Sequence, residues 1–330
     1  MSKLMECLRK HGRTSSSYLT LNKNIKYFIP DSFDGYVGYV EYVNTVVALE
    51  PVCSDAHVSE IIHGFKSFCI KNKKHICFFG CTEETREIFE TEKFKTLYIG
   101  SESFVSLDKF TTAGGRMASV RRGINHARHA NIRVKECFPD DKVKEGMHAV
   151  TKDWLKTRAT PELKFMIGDL SFDLPDKKYF IAFNDEKIKA FAVYNPIYAR
   201  KSYYLDLNRR RRNAPNGTME LLFSESFKRL KQDEVDRIYF GLSPFSNMPA
   251  MGKNNKLLTK LMGFLFNHFD FFYPAKSEYF FKQKFSTGSE KRYLYYYPKL
   301  SLRMIYAIFL AFCPDGLKKM VSYKLKRRLK

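Results

Sequence analysis

The chain of 330 residues reads as a mixed α/β protein built from two tandem units joined by a basic helix. Three observations predict this. At about 100–200 residues per domain, the length accommodates two ordinary domains, each able to enclose a core. Runs rich in aromatic and β-branched residues alternate with segments whose apolar residues recur every three or four positions. The order of these segments, a few strands, a helix, a strand, a helix and a strand, appears once over roughly residues 1–110 and again over roughly 140–300. The repetition is one of element order, not of residue identity.

The first unit, residues 1–112, opens with short β segments between residues 15 and 50: SSSYLTL, KYFIP, YVGYVEYV and TVVALEP, with turns at Asp34-Gly35 and near Asn44. A helix is predicted over about 55–73, where Val58, Ile61, Ile62, Phe65, Phe68 and Cys69 fall at helical intervals. The strand HICFFGC, a short helix over 83–89 and a strand pair through LYIG and SFVSL complete it. Residues 113–133 form the connector. On a helix over 114–131, Met117, Val120, Ile124 and Ala127 line one side, and Arg121, Arg122, Asn125, Arg128 and His129 occupy the rest. Arg116, Arg121, Arg122, Arg128 and Arg133 stand within 18 residues with no acid among them, so no i,i+4 pair offsets their repulsion. Contact with a polyanion is the expected use, and a solvated linker is the alternative. The second unit, 134–300, carries strands at KYFIAFN and KIKAFAVYNPI around the Asn184-Asp185 turn, then SYYLDLN, a helix over about 217–231, the strand RIYFGLS, a helix around 255–268 and the strand KRYLYYYP. Residues 301–330 form a basic amphipathic tail.

Composition narrows the function classes. Lys plus Arg number 57 against 35 Asp plus Glu, a formal net charge of +22, which directs the chain toward nucleic acid phosphates or an anionic membrane surface. With 44% hydrophobic and 15% aromatic residues, intrinsic disorder is excluded despite that charge. Seven cysteines are odd in number and scattered, with only Cys77 and Cys81 close together; no zinc spacing emerges, and reduced, mostly buried thiols are expected. The opening residues lack the apolar core of a signal peptide and no run approaches the ~18 apolar residues that cross a bilayer, so the expectation is a cytoplasmic chain. No Walker-type loop is present, so ATP use is not indicated and no cofactor or metal is expected.

The densest signal is YYLDLNRRRRNAPNGTMELLF, residues 203–223. Asp206 and Arg209 stand three apart at the end of an apolar strand, the cationic run Arg210, Arg211, Arg212 follows, and Pro215-Asn216-Gly217 turns the chain into the next helix. A strand, a tight turn and a helix N-terminus present free N–H groups to an anion, and arginines add bidentate phosphate contacts. On spacing alone, a structural pairing of Asp206 with Arg209 is the competing reading.

This block, followed by FGLSPFSNM and then by YFFKQKFSTGSEKRYLYYY, resembles the soluble C-terminal catalytic region of the lysylphosphatidylglycerol synthases, the multiple peptide resistance factors. That family shows an Asp-Leu-x-Arg strand, an Ala-Pro-Asn-Gly-x-Met-Asp turn and helix, a Gly-x-Ala-Pro-Leu-Ser/Ala-Asn loop, and Phe-Lys-x-Lys-Phe/Tyr before a Tyr-Leu-x-Tyr strand. The blocks lie in order, and looser likeness at DWL (153–155), ELKFMIG (162–168), the basic connector and TSSSYLTL extends it over most of residues 12–300. The resemblance implies a tandem acetyltransferase-like (GNAT) fold that receives the 3′ end of an aminoacyl-tRNA and passes the aminoacyl group to an acceptor, a phosphatidylglycerol hydroxyl in the membrane enzymes. It implies Asp206 and Arg209 as the catalytic pair, with Asp206 as base or ammonium holder and Arg209 at the terminal phosphate or oxyanion. Asn216, Gly217, Ser243, Ser246, Asn247, Lys282, Lys284 and Glu162 follow as substrate contacts, and Arg116, Arg121, Arg122, Arg128 and Arg210 to Arg212 as tRNA contacts. Trp154, the single tryptophan, lies in the DWL stretch of that looser likeness and is expected in the core.

The membrane enzymes carry transmembrane helices before this region and this chain shows none, so the acceptor is expected to be a lipid or a small-molecule hydroxyl or amine. LRMIYAIFLAFC at 302–313 is too short to span a bilayer, and seven Lys or Arg follow Asp315. This end is expected either to lie on an anionic membrane surface or to pack on the second unit with the remainder binding tRNA or solvent. Two other classes compete. An acyl-CoA-dependent N-acyltransferase would normally show Gln/Arg-x-x-Gly-x-Gly/Ala where this chain has RRNAPNGTM; a non-enzymatic RNA- or membrane-binding protein on the same scaffold would not need Asp206, Arg209, Lys282 and Lys284 together.

Overall fold

A computed structural model describes residues 2–158, 162–185, 187–244, 246 and 275–316. In chain order its helices are α1 (Ser2–His11), α2 (Val58–Lys71), α3 (Arg86–Thr91), α4 (Ala118–His129), α5 (Asp141–Leu155), α6 (Thr218–Gln232), α7 (Ala275–Phe285) and α8 (Leu302–Phe312). The strands are β1 (Lys26–Phe28), β2 (Gly35–Tyr42), β3 (Thr45–Ala48), β4 (Val52–Cys53), β5 (His75–Cys81), β6 (Lys95–Ser106), β7 (Arg133–Cys137), β8 (Lys178–Asn184), β9 (Lys187–Ile197), β10 (Ser202–Arg210), β11 (Arg237–Pro244) and β12 (Gly288–Tyr297). They form one twelve-stranded sheet in the order β1-β2-β3-β5-β12-β6-β11-β10-β9-β8-β7, with β4 beside β2.

The expected α/β class holds, and the duplication appears in the pairing. Among the described strands only two pairs are parallel, β3 with β5 and β10 with β11. Each is reached from an antiparallel pair through one helix, α2 in the first case and α6 in the second. A parallel neighbour requires such a crossover, which is why a long amphipathic helix follows each hairpin.

Helices cover both faces. On one, α2 and α3 bury Ile61, Ile62, Phe65 and Phe89 against Phe78, Tyr293 and Tyr295, while α4 and α6 bury Val120, Ile124, Leu222 and Phe227 against Phe180, Ala192 and Ile238. On the other, α5 buries Val143, Met147 and Val150 against Ile181, Phe191 and Leu207. There α8 sets Met304, Ala307 and Ala311 on β2 and β3. This segment was expected on a membrane or on the second unit; its inner face in fact packs on strands of the first.

Four further expectations need correction. SSSYLTL is not a strand: Tyr18–Leu21 forms a 3-10 helix, because Thr20 Oγ1 donates to Ser17 O at 2.6 Å and Ser17 Oγ accepts from Thr14 N at 3.1 Å, turning the backbone locally. LYIG and SFVSL are one continuous strand, β6, carried through an irregularity at Gly100. The last strand, β12, lies between β5 and β6 instead of closing the second half of the sheet. Helices α1 and α5 were not anticipated; α5 starts on an Asp140 side chain that accepts from Val143 N at 2.8 Å. The helix expected at 255–268 lies outside the described residues.

Candidate active site

The site grows from an irregularity in β10. Its pairing with β9 slips between Leu205 and Leu207, leaving Asp206 as an extra residue. In a regular strand residues two apart share a face, yet Leu205 packs into the α4/α6 core and Leu207 into the α5 core. The bulge reverses the alternation, so Asp206 and Arg209, three apart, both face α5. Without it they would point to opposite sides.

Segment 162–169 closes over them. Asp206 is 8% exposed; its Oδ1 accepts from Gly168 N at 2.7 Å and its Oδ2 from Asn195 Nδ2 at 3.0 Å. A Cβ on Gly168 would overlap this carboxylate, so only glycine lets the backbone N–H approach. Asn22 fixes the segment from beneath, donating to Phe165 O at 3.4 Å and Ile167 O at 3.2 Å. Burial pushes the Asp206 carboxyl above the ordinary carboxylate range, opposed by the Lys177 ammonium, the Gly168 N–H, the Asn195 amide and Arg209.

Arg209 is 3% exposed and already engaged. It pairs with Glu162 at 2.6 Å, donates to Thr151 Oγ1 at 3.1 Å and lies 4.8 Å over the Trp154 ring. Burial pushes its guanidinium down, and Glu162 counters this. Asp206 and Arg209 thus do not form the direct pair that spacing allowed. Trp154 is not a core residue: it is part-exposed, with Arg158 at 4.3 Å and Arg209 at 4.8 Å over its ring.

The second arm is β11. Parallel pairing with β10 covers only Ser202–Tyr204 against Arg237–Tyr239; beyond it β10 stays with β9 and β11 with β6, and the two diverge. Tyr204 fills the base of the gap, its hydroxyl donating to Met166 O at 3.3 Å, and Gly241, at φ +77°, leaves room for its ring. On the β11 side stand Ser243, whose buried Oγ has no partner among the described residues, and Lys282, whose Nζ lies 3.5 Å from Gly241 O. Ser246 is locked in place: its hydroxyl donates to Ser243 O at 2.7 Å and its carbonyl accepts from Tyr98 at 2.8 Å.

The remaining expected residues lie around α4 and α6. Gly217, at φ +80°, abuts Gly123 of the basic helix so closely that neither tolerates a Cβ without movement, and Asn216 beside it is exposed. Lys284 pairs with Glu220 at 3.0 Å in the first turn of α6. Arg116 donates to Gln283 O and Ser286 O, Arg121 to Thr112 O and Gly114 O, and Arg128 pairs with Glu225. Arg211 donates to Ile188 O, whereas Arg122, Arg210 and Arg212 are exposed. Asn247 lies outside the described residues. Sequence reasoning missed Gly168, Asn195 and Lys177. Asn195 was detectable as the one amide interrupting the apolar run FAVYNPI.

The thiols behave as expected: all seven are unbridged, and burial pushes Cys53 and Cys69 up to about 12. A family model described as "Phosphatidylglycerol lysyltransferase, C-terminal" matches residues 5–296. The chain belongs to this family. Among phosphatidylglycerol lysyltransferases, that of Staphylococcus xylosus is 22% identical over 304 residues, which are 89% of this chain and 35% of that protein. That of Bacillus subtilis is 23% identical over 229 residues, 69% of this chain and 27% of that protein. The chain thus spans about a third of the length of the first of these curated relatives. The solved L-PGS of Bacillus licheniformis has the same fold at TM-score 0.82 and 22% identity, covering 94% of this chain and 95% of that one. FemX is a more distant fold neighbour, at TM-score 0.51 and 9% identity over 86% of this chain and 95% of that one.

Proposed function

We propose that the chain transfers an aminoacyl group from aminoacyl-tRNA to a hydroxyl or amine acceptor, a phosphatidylglycerol-like lipid or a small molecule. The observation that carries this reading is the buried Asp206 carboxylate, held by two donors beside a gap between diverging strands, in a family named for aminoacyl transfer to phosphatidylglycerol. An aminoacyl ester is already activated, so positioning, one proton transfer and oxyanion stabilisation suffice. Asp206 takes the proton of the acceptor hydroxyl as its oxygen attacks the ester carbonyl, and passes that proton to the terminal ribose oxygen of the tRNA as the ester C–O bond breaks and the ribose hydroxyl leaves. The unpartnered Ser243 hydroxyl and the Lys282 ammonium stand on the β11 arm to receive negative charge.

Arg209 acts one step back. Its guanidinium is buried and paired, so it orients Glu162, 31% exposed, toward the α-ammonium of the aminoacyl group. The exposed Arg122, Arg210 and Arg212 are assigned to the tRNA backbone. Acyl-CoA use is disfavoured by the packing of Gly123 against Gly217, since α4 occupies the approach that a pyrophosphate would need at this turn.

The test is incubation of the purified protein with total tRNA charged with radiolabelled amino acids, with and without liposomes. Label should move to lipid or to an added soluble acceptor, and Asp206→Ala should abolish the movement while leaving the fold intact. Absence of tRNA-dependent turnover under both conditions overturns the proposal.

A further inference from the structure

The outer side of α8 has no partner among the described residues. Its inner side is accounted for by Met304, Ala307 and Ala311, and Phe312 packs on Phe79 and Phe165 at ring distances of 5.3 and 5.9 Å. Outward, Leu302 is 84% exposed and Tyr306 42%, with Tyr306 stacked on part-exposed Phe309. In LRMIYAIFLAF the single charge is Arg303, itself exposed. Eleven residues make about 16 Å of helix, too short to cross ~30 Å of hydrocarbon but suited to lying along an interface.

Two observations say what covers this face. The sequence after it, LKKMVSYKLKRRLK at 317–330, holds seven Lys or Arg and no acid, so an apolar face is followed directly by concentrated positive charge. That combination fits an anionic lipid surface, where apolar side chains enter the headgroup boundary and cations meet phosphates. The helix is also tied to the candidate site. Phe312 O accepts from Lys164 N at 2.9 Å, and the segment containing Lys164 holds Arg209 through Glu162 and Asp206 through Gly168.

We propose that the Leu302, Tyr306 and Phe309 face of α8 is an interfacial docking surface for an anionic bilayer, and that it sets the gap between β10 and β11 beside lipid headgroups. The consequence for a lipid acceptor rests on the proposed transferase reading; docking itself does not.

The experiment is sedimentation of the full chain with vesicles of phosphatidylcholine alone or mixed with phosphatidylglycerol, with no tRNA present. Binding is expected only to the mixed vesicles. Changing Leu302→Asp together with Tyr306→Asp should abolish it. Changing Lys326, Arg327 and Arg328 to Gln should weaken it about fivefold per residue, on the order of 100-fold together, from ~1 kcal/mol per cation near the surface. Unaltered melting temperatures exclude misfolding, and a Leu302→Trp protein, quenched by brominated lipid more than the parent carrying only Trp154, reports insertion directly. Equal binding to both vesicle types, no effect of the α8 substitutions, or self-association through this face overturns the proposal. So does unchanged vesicle binding in the Gln variant. A failed transfer assay with intact vesicle binding would instead count against the transferase reading.

Discussion

Asp206 carries opposed demands. Burial resists its ionisation, while the Gly168 N–H, the Asn195 amide and Lys177 favour it, and burial prevails. Because the folded value lies above the unfolded one, the stability linked to protonation is fully present below the ordinary Asp value of about 3.9 and is lost as pH rises through the folded value. The melting temperature of Asp206→Asn should therefore gain on that of the parent as pH rises from the acid range to neutral. Asn195 can turn its unpartnered Oδ1 toward the new amide, which puts its own Nδ2 where Oδ1 had no partner, and that buried donor is a pH-independent cost set against the gain. Transfer, if Asp206 is the base, should fall as pH drops through that same raised value, a shift visible in pH–rate profiles above the usual carboxylate range. Gly168→Ala tests the geometry: its methyl would overlap the carboxylate, costing about 1–3 kcal/mol in chemical denaturation and most of the turnover. At this scale the sequence displayed Asp206, Arg209 and Glu162 but not their partnership. Glu162 lies 47 positions before Arg209, and nothing in local spacing shows that a loop folds back to bring its carboxylate to 2.6 Å.

At the scale of elements, the β10 bulge and the α4–α6 contact do the positioning. Gly123 of α4 meets Gly217, the residue just before α6, where a Cβ on Gly123 would stand 3.2 Å from the Gly217 Cα. Gly217→Ala combines a positive φ with overlap of the Gly123 carbonyl and should destabilise by about 1–3 kcal/mol; a thermal melt or urea titration measures it. The basic helix would move off the α6 N-terminus, and weaker tRNA binding should accompany the loss if the exposed arginines serve there. Helices with a strong three-and-four pattern, α2, α4 and α6, were legible because one face of each is apolar and the other charged. The 3-10 turn at Tyr18–Leu21 was not, because alternating Tyr, Leu, Thr and Leu carries a strand period while serine and threonine hydroxyls capture the backbone. The bulge was equally hidden: LDLN alternates like any half-buried strand, and only the fixed partner β9 reveals the slip.

At the scale of the molecule, one sheet joins both halves, and the order of strands makes them interdependent. β12 fills the slot between β5 and β6, and the buried ion pair of Arg292 with Glu102 fastens it there, with Ser15 Oγ donating to Glu102 at 2.9 Å. Residues 1–137 expressed alone should lack both this strand and β11, leaving one edge of β5 and both edges of β6 open, and should aggregate. Co-expression with 138–330 should return soluble material, measured by sedimentation and amide exchange. Duplicated element order suggested two separable units because it reports local sequence, whereas strand pairing is decided by contacts across almost the whole chain. The insertion also sets a timetable for synthesis. From Ser106 to Gly288 a ribosome needs roughly 10–40 s at ~5–20 residues per second, and through that interval β5 and β6 wait with unsatisfied backbone groups. The nascent N-terminal half is thus a client for whatever shields hydrophobic edges at the ribosome exit, and slower translation lengthens its exposure.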